Sequence, residues 1–128
     1  MSHLPPAIMV HGLAHLQAAC APGMAFTALS APGAALSWGG LWWQALLTAA
    51  SYSGPALLDC AAAPGRAVEA LELGLTGVIL ATCPAWAEIA ALAATKNALL
   101  LPAMPLFLDM GDKRAHLQLT SWLRASPY

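Results

Sequence analysis

Several short apolar runs in this chain stop at residues that can do chemistry. Ala7 to Val10 stops at His11, Met24 to Leu29 at Ser30, Pro55 to Leu58 at Asp59-Cys60, and Thr76 to Ala81 at Thr82-Cys83, with Asp109 following a later run. A carboxylate in such a place binds a cation, accepts N–H groups or takes up a proton. A cysteine becomes a nucleophile when a helix start or a basic neighbour lowers its pKa. Cys83 precedes Pro84 at a predicted helix start, and Cys60 ends the neighbouring run. Arg66 follows Asp59 closely enough to serve the same site. The ligand-binding candidates are therefore Ser30, Asp59, Cys60, Arg66, Thr82 and Cys83.

A complete catalytic set does not follow from them. Nucleophilic chemistry needs a base within reach, and His11 is the candidate if the first run lies beside the third. His11 and His15 have the i, i+4 spacing of a metal pair on a helix. A zinc site takes three or four ligands, and no third residue stands at a matching offset. No Walker A loop, GxGxxG, GxSxG, HExxH or CxxC pattern occurs. No catalytic residue, metal or cofactor is assigned.

The elements that would position these residues alternate. Ala7–Val10, Met24–Leu29, Pro55–Cys60, Thr76–Ala81 and Ala98–Leu101 read as strands; Leu13–Cys20, Leu41–Ala50, Arg66–Leu73, a stretch after Pro84 and one after Asp112 read as helices. Gly74 is placed to end the third helix and Asn97 the fourth in a left-handed conformation. The strands are continuous apolar runs without period-2 alternation, which is the pattern of strands covered on both faces. Parallel strands with right-handed helical crossovers then predict a three-layer α/β/α sandwich. Its mainly parallel five-stranded sheet is expected in the flavodoxin-like order 2-1-3-4-5; another order, or a half-barrel, is also compatible. Residues 1–128 read as one domain.

Asp59 and Thr82, at the ends of strands three and four, resemble the phosphate-accepting Asp and the Thr/Ser of response-regulator receiver domains. That resemblance implies a phosphorylated aspartate and a divalent cation. The chain departs from it where the cation-holding acidic pair and the strand-five lysine belong, having Val10-His11-Gly12 and Leu101-Pro102-Ala103 there. Without those groups nothing holds Mg²⁺ against phosphoryl oxygens, and the resemblance implies at most a degenerate, protein-binding module. Positions 58–81, LDCAAAPGRAVEALELGLTGVILA, also look like a β-α-β unit of phosphate-binding barrels such as thiazole synthase. The Schiff-base lysine of related aldolases has no counterpart on any strand.

Composition narrows the classes further. Hydrophobic residues make up 59% and charged residues 9% of the 128 residues, which excludes disorder. Prolines and glycines break the apolar stretches below the roughly 20 residues a membrane span needs. A net charge of −1 with five Lys plus Arg gives no footprint for nucleic acid. The start, MSHLPPAIMVHG, has no basic segment before an apolar one, and the three cysteines form no zinc-like pattern. A cytoplasmic protein with reduced thiols is expected.

No Asp, Glu, Lys or Arg precedes Asp59, so helices in the first half present uncharged outer faces. Within that half, Trp38, Trp42 and Trp43 exceed what one short helix buries, and large exposed apolar patches mark interfaces. A homo-oligomer, with a dimer favoured, is expected through these tryptophans. The functional expectation is a non-catalytic, homo-oligomeric α/β domain that binds a small ligand or protein partner at the carboxyl ends of its strands. The alternatives are a small enzyme using Asp59 with Cys60, Cys83 or His11, and the degenerate receiver-like module.

Overall fold

The computed structural model describes residues 4–125. In chain order the elements are β1 (Ala7–Val10), α1 (Leu13–Cys20), β2 (Thr27–Ser30), α2 (Ala34–Ser37), α3 (Gly39–Ala49), β3 (Ala56–Asp59), α4 (Pro64–Glu72), β4 (Gly77–Ile79), α5 (Trp86–Thr95), β5 (Leu99–Leu101), β6 (Phe107–Asp109) and α6 (Ala115–Arg124). The α/β class and the parallel sheet match the expectation. The sheet has six strands, not five, because Phe107–Asp109 pairs alongside β1. Gly74 and Asn97 end their helices with φ of 87° and 55°, as their residue types predict.

The strand order is β5-β4-β3-β2-β1-β6, with every pairing parallel. This corrects the expected 2-1-3-4-5. In the flavodoxin-like order one crossover reverses direction and moves its helices to the second face. Here each connection from β1 to β5 steps the same way, and right-handed crossovers stepping one way leave their helices on one face. The side chains agree. Ile8, Val10, Ala28, Leu58 and Val78 share one cluster with residues of all six helices, including Leu16, Ala35, Trp43, Leu71, Ile89 and Leu119. Met9, Leu29, Leu57 and Ile79 form a second cluster, closed by Leu4, Leu99, Leu101 and Met104 and by no helix.

That second face is buried by curvature of the sheet. Leu101 and Phe107 end β5 and begin β6, six residues apart in sequence but on the two outer strands. Six residues reach at most about 20–22 Å. Crossing a flat sheet of this order takes about 24 Å at about 4.8 Å per strand, before the chain drops back to the start of the next strand. The sheet must therefore curl, bringing β5 and β6 toward each other and enclosing the Met9–Leu29–Leu57–Ile79 row. The registers confirm that row, since Met9 faces Leu29 and Leu29 faces Leu57. The architecture is a curled sheet with its helices outside, nearer to the half-barrel than to a three-layer sandwich.

α6 closes the edge at β6. Leu119 and Leu123 enter the helix-side core, and the Trp122 indole N–H donates to the Ala7 carbonyl oxygen at 2.9 Å. Asp112 accepts from the Arg114 amide at 2.9 Å in the turn ahead of the helix, whose N-cap position is Arg114, without a side-chain cap.

Candidate functional site

All six strands run the same way, so their carboxyl ends share one edge of the sheet, where α/β proteins take ligands. The expected residues divide there into structural and exposed groups.

Ser30 and Asp59 are structural. The Ser30 hydroxyl accepts the Asp59 amide at 2.8 Å and donates to the Ala31 carbonyl at 3.1 Å. Asp59 is 7% exposed, and its Oδ2 accepts the Gly33 amide at 2.6 Å. Asp59 stands level with Ile79, on the apolar inner face of the sheet. A carboxylate there must be hydrogen-bonded, and its bond to Gly33 ties the end of β3 to the turn that begins α2. The two residues latch neighbouring strand ends together.

Cys60 is fully buried, with its thiol 3.7 Å from the Leu58 carbonyl. Burial, with smaller contributions from the charges of Asp59 and Glu69, pushes its pKa up to about 12. It is a packed thiol and no nucleophile at neutral pH. Cys83 is half-buried against the helix-side core, and Thr82 is exposed. Arg66 is exposed on the first turn of α4, where its Nη1 meets Glu69 Oε1 at 3.0 Å and not Asp59. The strand ends thus do not gather Ser30, Asp59, Cys60, Arg66, Thr82 and Cys83 into one polar cleft.

They gather a different set. His11 follows β1 and Asp109 ends β6, and these two strands meet at the break in the sequential order. His11 Nε2 lies 2.7 Å from Asp109 Oδ1. The same oxygen accepts the Gly111 amide at 2.8 Å. Burial opposes ionisation of Asp109, but the Gly111 N–H and the His11 hydrogen bond outweigh it, aided by the charges of His11 and His15, and hold its pKa below 3.8. An ionised carboxylate only accepts, so Nε2 of His11 carries a proton, and in the neutral ring Nδ1 is left as the acceptor. Gly111 permits the pair to close, because a Cβ there would stand 3.1 Å from both Asp109 Oδ1 and His11 Nε2.

His15 completes the cluster. Its Nδ1 accepts the His11 backbone amide at 3.1 Å, and the two rings meet edge to face at 5.4 Å. The i, i+4 spacing seen in the sequence therefore serves to fix the start of α1. No group of three His, Cys, Asp or Glu side chains among the described residues is arranged to hold a metal ion.

The strand-end rule selects both His11 and Asp109 from the sequence. Their adjacency was not readable, because it depends on β6, a three-residue strand two residues beyond Pro105. The signal for the pairing is Gly111, whose role appears only once β6 is beside β1.

The tryptophans are distributed from core to surface. Trp43 is fully buried and belongs to the core, a correction to its expected place at an interface. Trp42 is half-buried, and Trp38 is 67% exposed. Their rings follow one another at centroid distances of 5.9 Å, Trp43 to Trp42 and Trp42 to Trp38. Trp38 is thus the one of the three that stands mainly in solvent. No helix among the described residues is long and apolar enough to cross a membrane.

No protein-family model, curated protein or solved structure matches the chain.

Proposed function

We propose that the chain is a small-ligand-binding α/β domain that takes its ligand over the carboxyl ends of β1 and β6, with His11 as the contacting group. The observation that carries this reading is the 2.7 Å pair of His11 and Asp109. It fixes the ring, assigns the proton to Nε2 and leaves Nδ1 to accept from a ligand hydroxyl or N–H. No hydrogen-bond partner for that Nδ1 is found among the described residues.

The reading stops at binding. Ser30, a ligand-binding candidate, is committed to backbone groups, and Cys60, one of the nucleophiles considered from the sequence, is buried with a raised pKa. A carboxylate-held imidazole is also the arrangement of a general base. Proton transfer on a bound ligand is therefore the second reading, favoured by the same pair.

The test is to titrate the histidine ring resonances of ¹⁵N-labelled protein with a panel of small polyols and carboxylic acids. Saturable shifts confined to His11, Asp109 and Gly111, and lost in folded His11→Ala, support the proposal. A panel that moves residues elsewhere, or none, removes it. Deuterium exchange at a ligand C–H, dependent on His11, would establish the second reading.

A further inference from the structure

A concave site lies between α3 and α4. It is a groove of ≈ 430 Å³ between the start of α3 and the last turns of α4, lined by Trp38, Gly39, Gly40, Leu41, Leu73 and the carboxylates of Glu69 and Glu72. That volume is within the range of small-molecule pockets, about 300–1,000 Å³.

Three features specify what would fit. The first is an aromatic wall that is exposed yet supported. Trp38 and Leu41 are both 67% exposed, and Trp38 rests on Trp42, which rests on the buried Trp43. The second is an apolar floor held by close helix packing. Gly40 is buried, and a Cβ there would stand 2.9 Å from the Leu73 methyl, so the missing side chain lets α3 settle on α4 and keeps Leu73 at the base of the groove. The third is charge. Glu69 and Glu72 are the charged residues among the lining residues, and the partial positive charge of the α3 start is outweighed by two full carboxylates. Their intrachain partners, Arg66 at 3.0 Å and Lys96 at 3.8 Å, are exposed pairs that hold weakly.

An indole face, an apolar floor and two carboxylates that can exchange their weak exposed partners for a ligand cation form the recognition set for an organic cation. We propose that this groove binds a small alkylammonium compound, its cationic head against Trp38 and the two glutamates and its apolar part over Leu41 and Leu73. This site is independent of the His11–Asp109 site.

The experiment compares choline with its neutral isostere 3,3-dimethylbutan-1-ol by NMR, following the Trp38 indole N–H and the Gly39 and Gly40 amides. The expected result is a saturable choline shift at these three positions, with at least tenfold weaker binding of the neutral compound. Trp38→Ala abolishes it, and Glu69→Gln/Glu72→Gln weakens it at least tenfold, with the circular dichroism of both variants unchanged. Equal binding of the two compounds shows an apolar groove alone and overturns the proposal. Absence of a shift overturns it too. So does a Trp38 signal that changes on dilution alone, with light scattering at twice 13.2 kDa, because a second copy then covers the groove.

Discussion

Oδ2 of Asp59 accepts the backbone amide of Gly33 at 2.6 Å, across 26 residues of sequence. The bond joins the end of β3 to the turn after β2, and it accounts for an acidic residue on the inner face of a sheet otherwise lined by Met9, Leu29, Leu57 and Ile79. Removing the side chain leaves the Gly33 amide without its charged partner. Asp59→Ala is expected to lower the free energy of unfolding by about 1.5–3 kcal/mol, the range for hydrogen bonds to charged groups, and to speed hydrogen exchange at Gly33. Urea denaturation and native-state exchange check this. A variant as stable as wild type would return Asp59 to the ligand-binding candidates.

The His11–Asp109 pair gives a prediction with a spectroscopic readout. Gly111→Ala places a Cβ 3.1 Å from both partners, and the ring must give way. In wild type, long-range ¹H–¹⁵N spectra at neutral pH are expected to show the Nε2-protonated tautomer of His11; in Gly111→Ala, a mixture. The pH dependence has a definite sign. The folded-state pKa of Asp109 lies below its ordinary 3.8, so the pair contributes stability above that value, and the contribution is lost as pH falls through the lower, folded-state pKa. The stability difference between wild type and Asp109→Asn should be small, about 0–1 kcal/mol for so exposed a pair, and should close below about pH 4.

Cys60 should be silent toward thiol reagents in the native protein. Burial drives its pKa to about 12, so almost no thiolate exists at pH 8 and the sulfur is out of reach. Mass spectrometry after brief iodoacetamide treatment at pH 8 is expected to find Cys60 unmodified until denaturant is added. Rapid native labelling of Cys60 would revive the nucleophilic reading.

Much of the architecture was legible because local chemistry and global fold agree. Gly74 and Asn97 end helices where their types predict, and the apolar runs at Ala7, Ala56 and Gly77 are strands. The layer count was not legible, for a physical reason. A continuous apolar run reports that both faces of a strand are buried, but not by what. Here helices bury Ile8 and Leu58, whereas the curl of the sheet buries Met9 and Leu57, and the two give the same sequence pattern. The site divided in the same way. His11 and Asp109 are visible as residues at strand ends, but their separation of 98 in sequence is closed by β6, a strand of three residues, too short to show a period. Asp59 and Ser30 were visible too, and their hydrogen bonds to backbone groups, which no spacing encodes, assign them to the fold.

Tyr52 provides a test at the opposite, amino-terminal edge of the sheet. Its hydroxyl shares one proton between the carbonyls of Phe26, at 2.6 Å, and Pro55, at 2.7 Å, while its ring lies 5.0 Å from that of Phe26. The bonds link the chain just before β2 to the chain just before β3, in a half-buried place. Burial raises the phenol pKa above its ordinary 10.0; the Ala28 amide works against this and Cys20 adds to it. A pKa raised in the folded state gives stability that is fully present below pH 10 and is lost as pH rises beyond it, because the unfolded chain releases its proton first. Tyr52→Phe keeps the ring and removes the hydroxyl, leaving the Phe26 carbonyl without that donor while the Pro55 carbonyl keeps the Ala28 amide at 2.9 Å. It is expected to cost about 1–3 kcal/mol at pH 7, and the difference from wild type should shrink steadily above pH 10. Urea denaturation midpoints at pH 7, 9 and 10.5 measure both effects. A cost that stays constant across that range would show that the hydroxyl acts through packing and not through its hydrogen bonds.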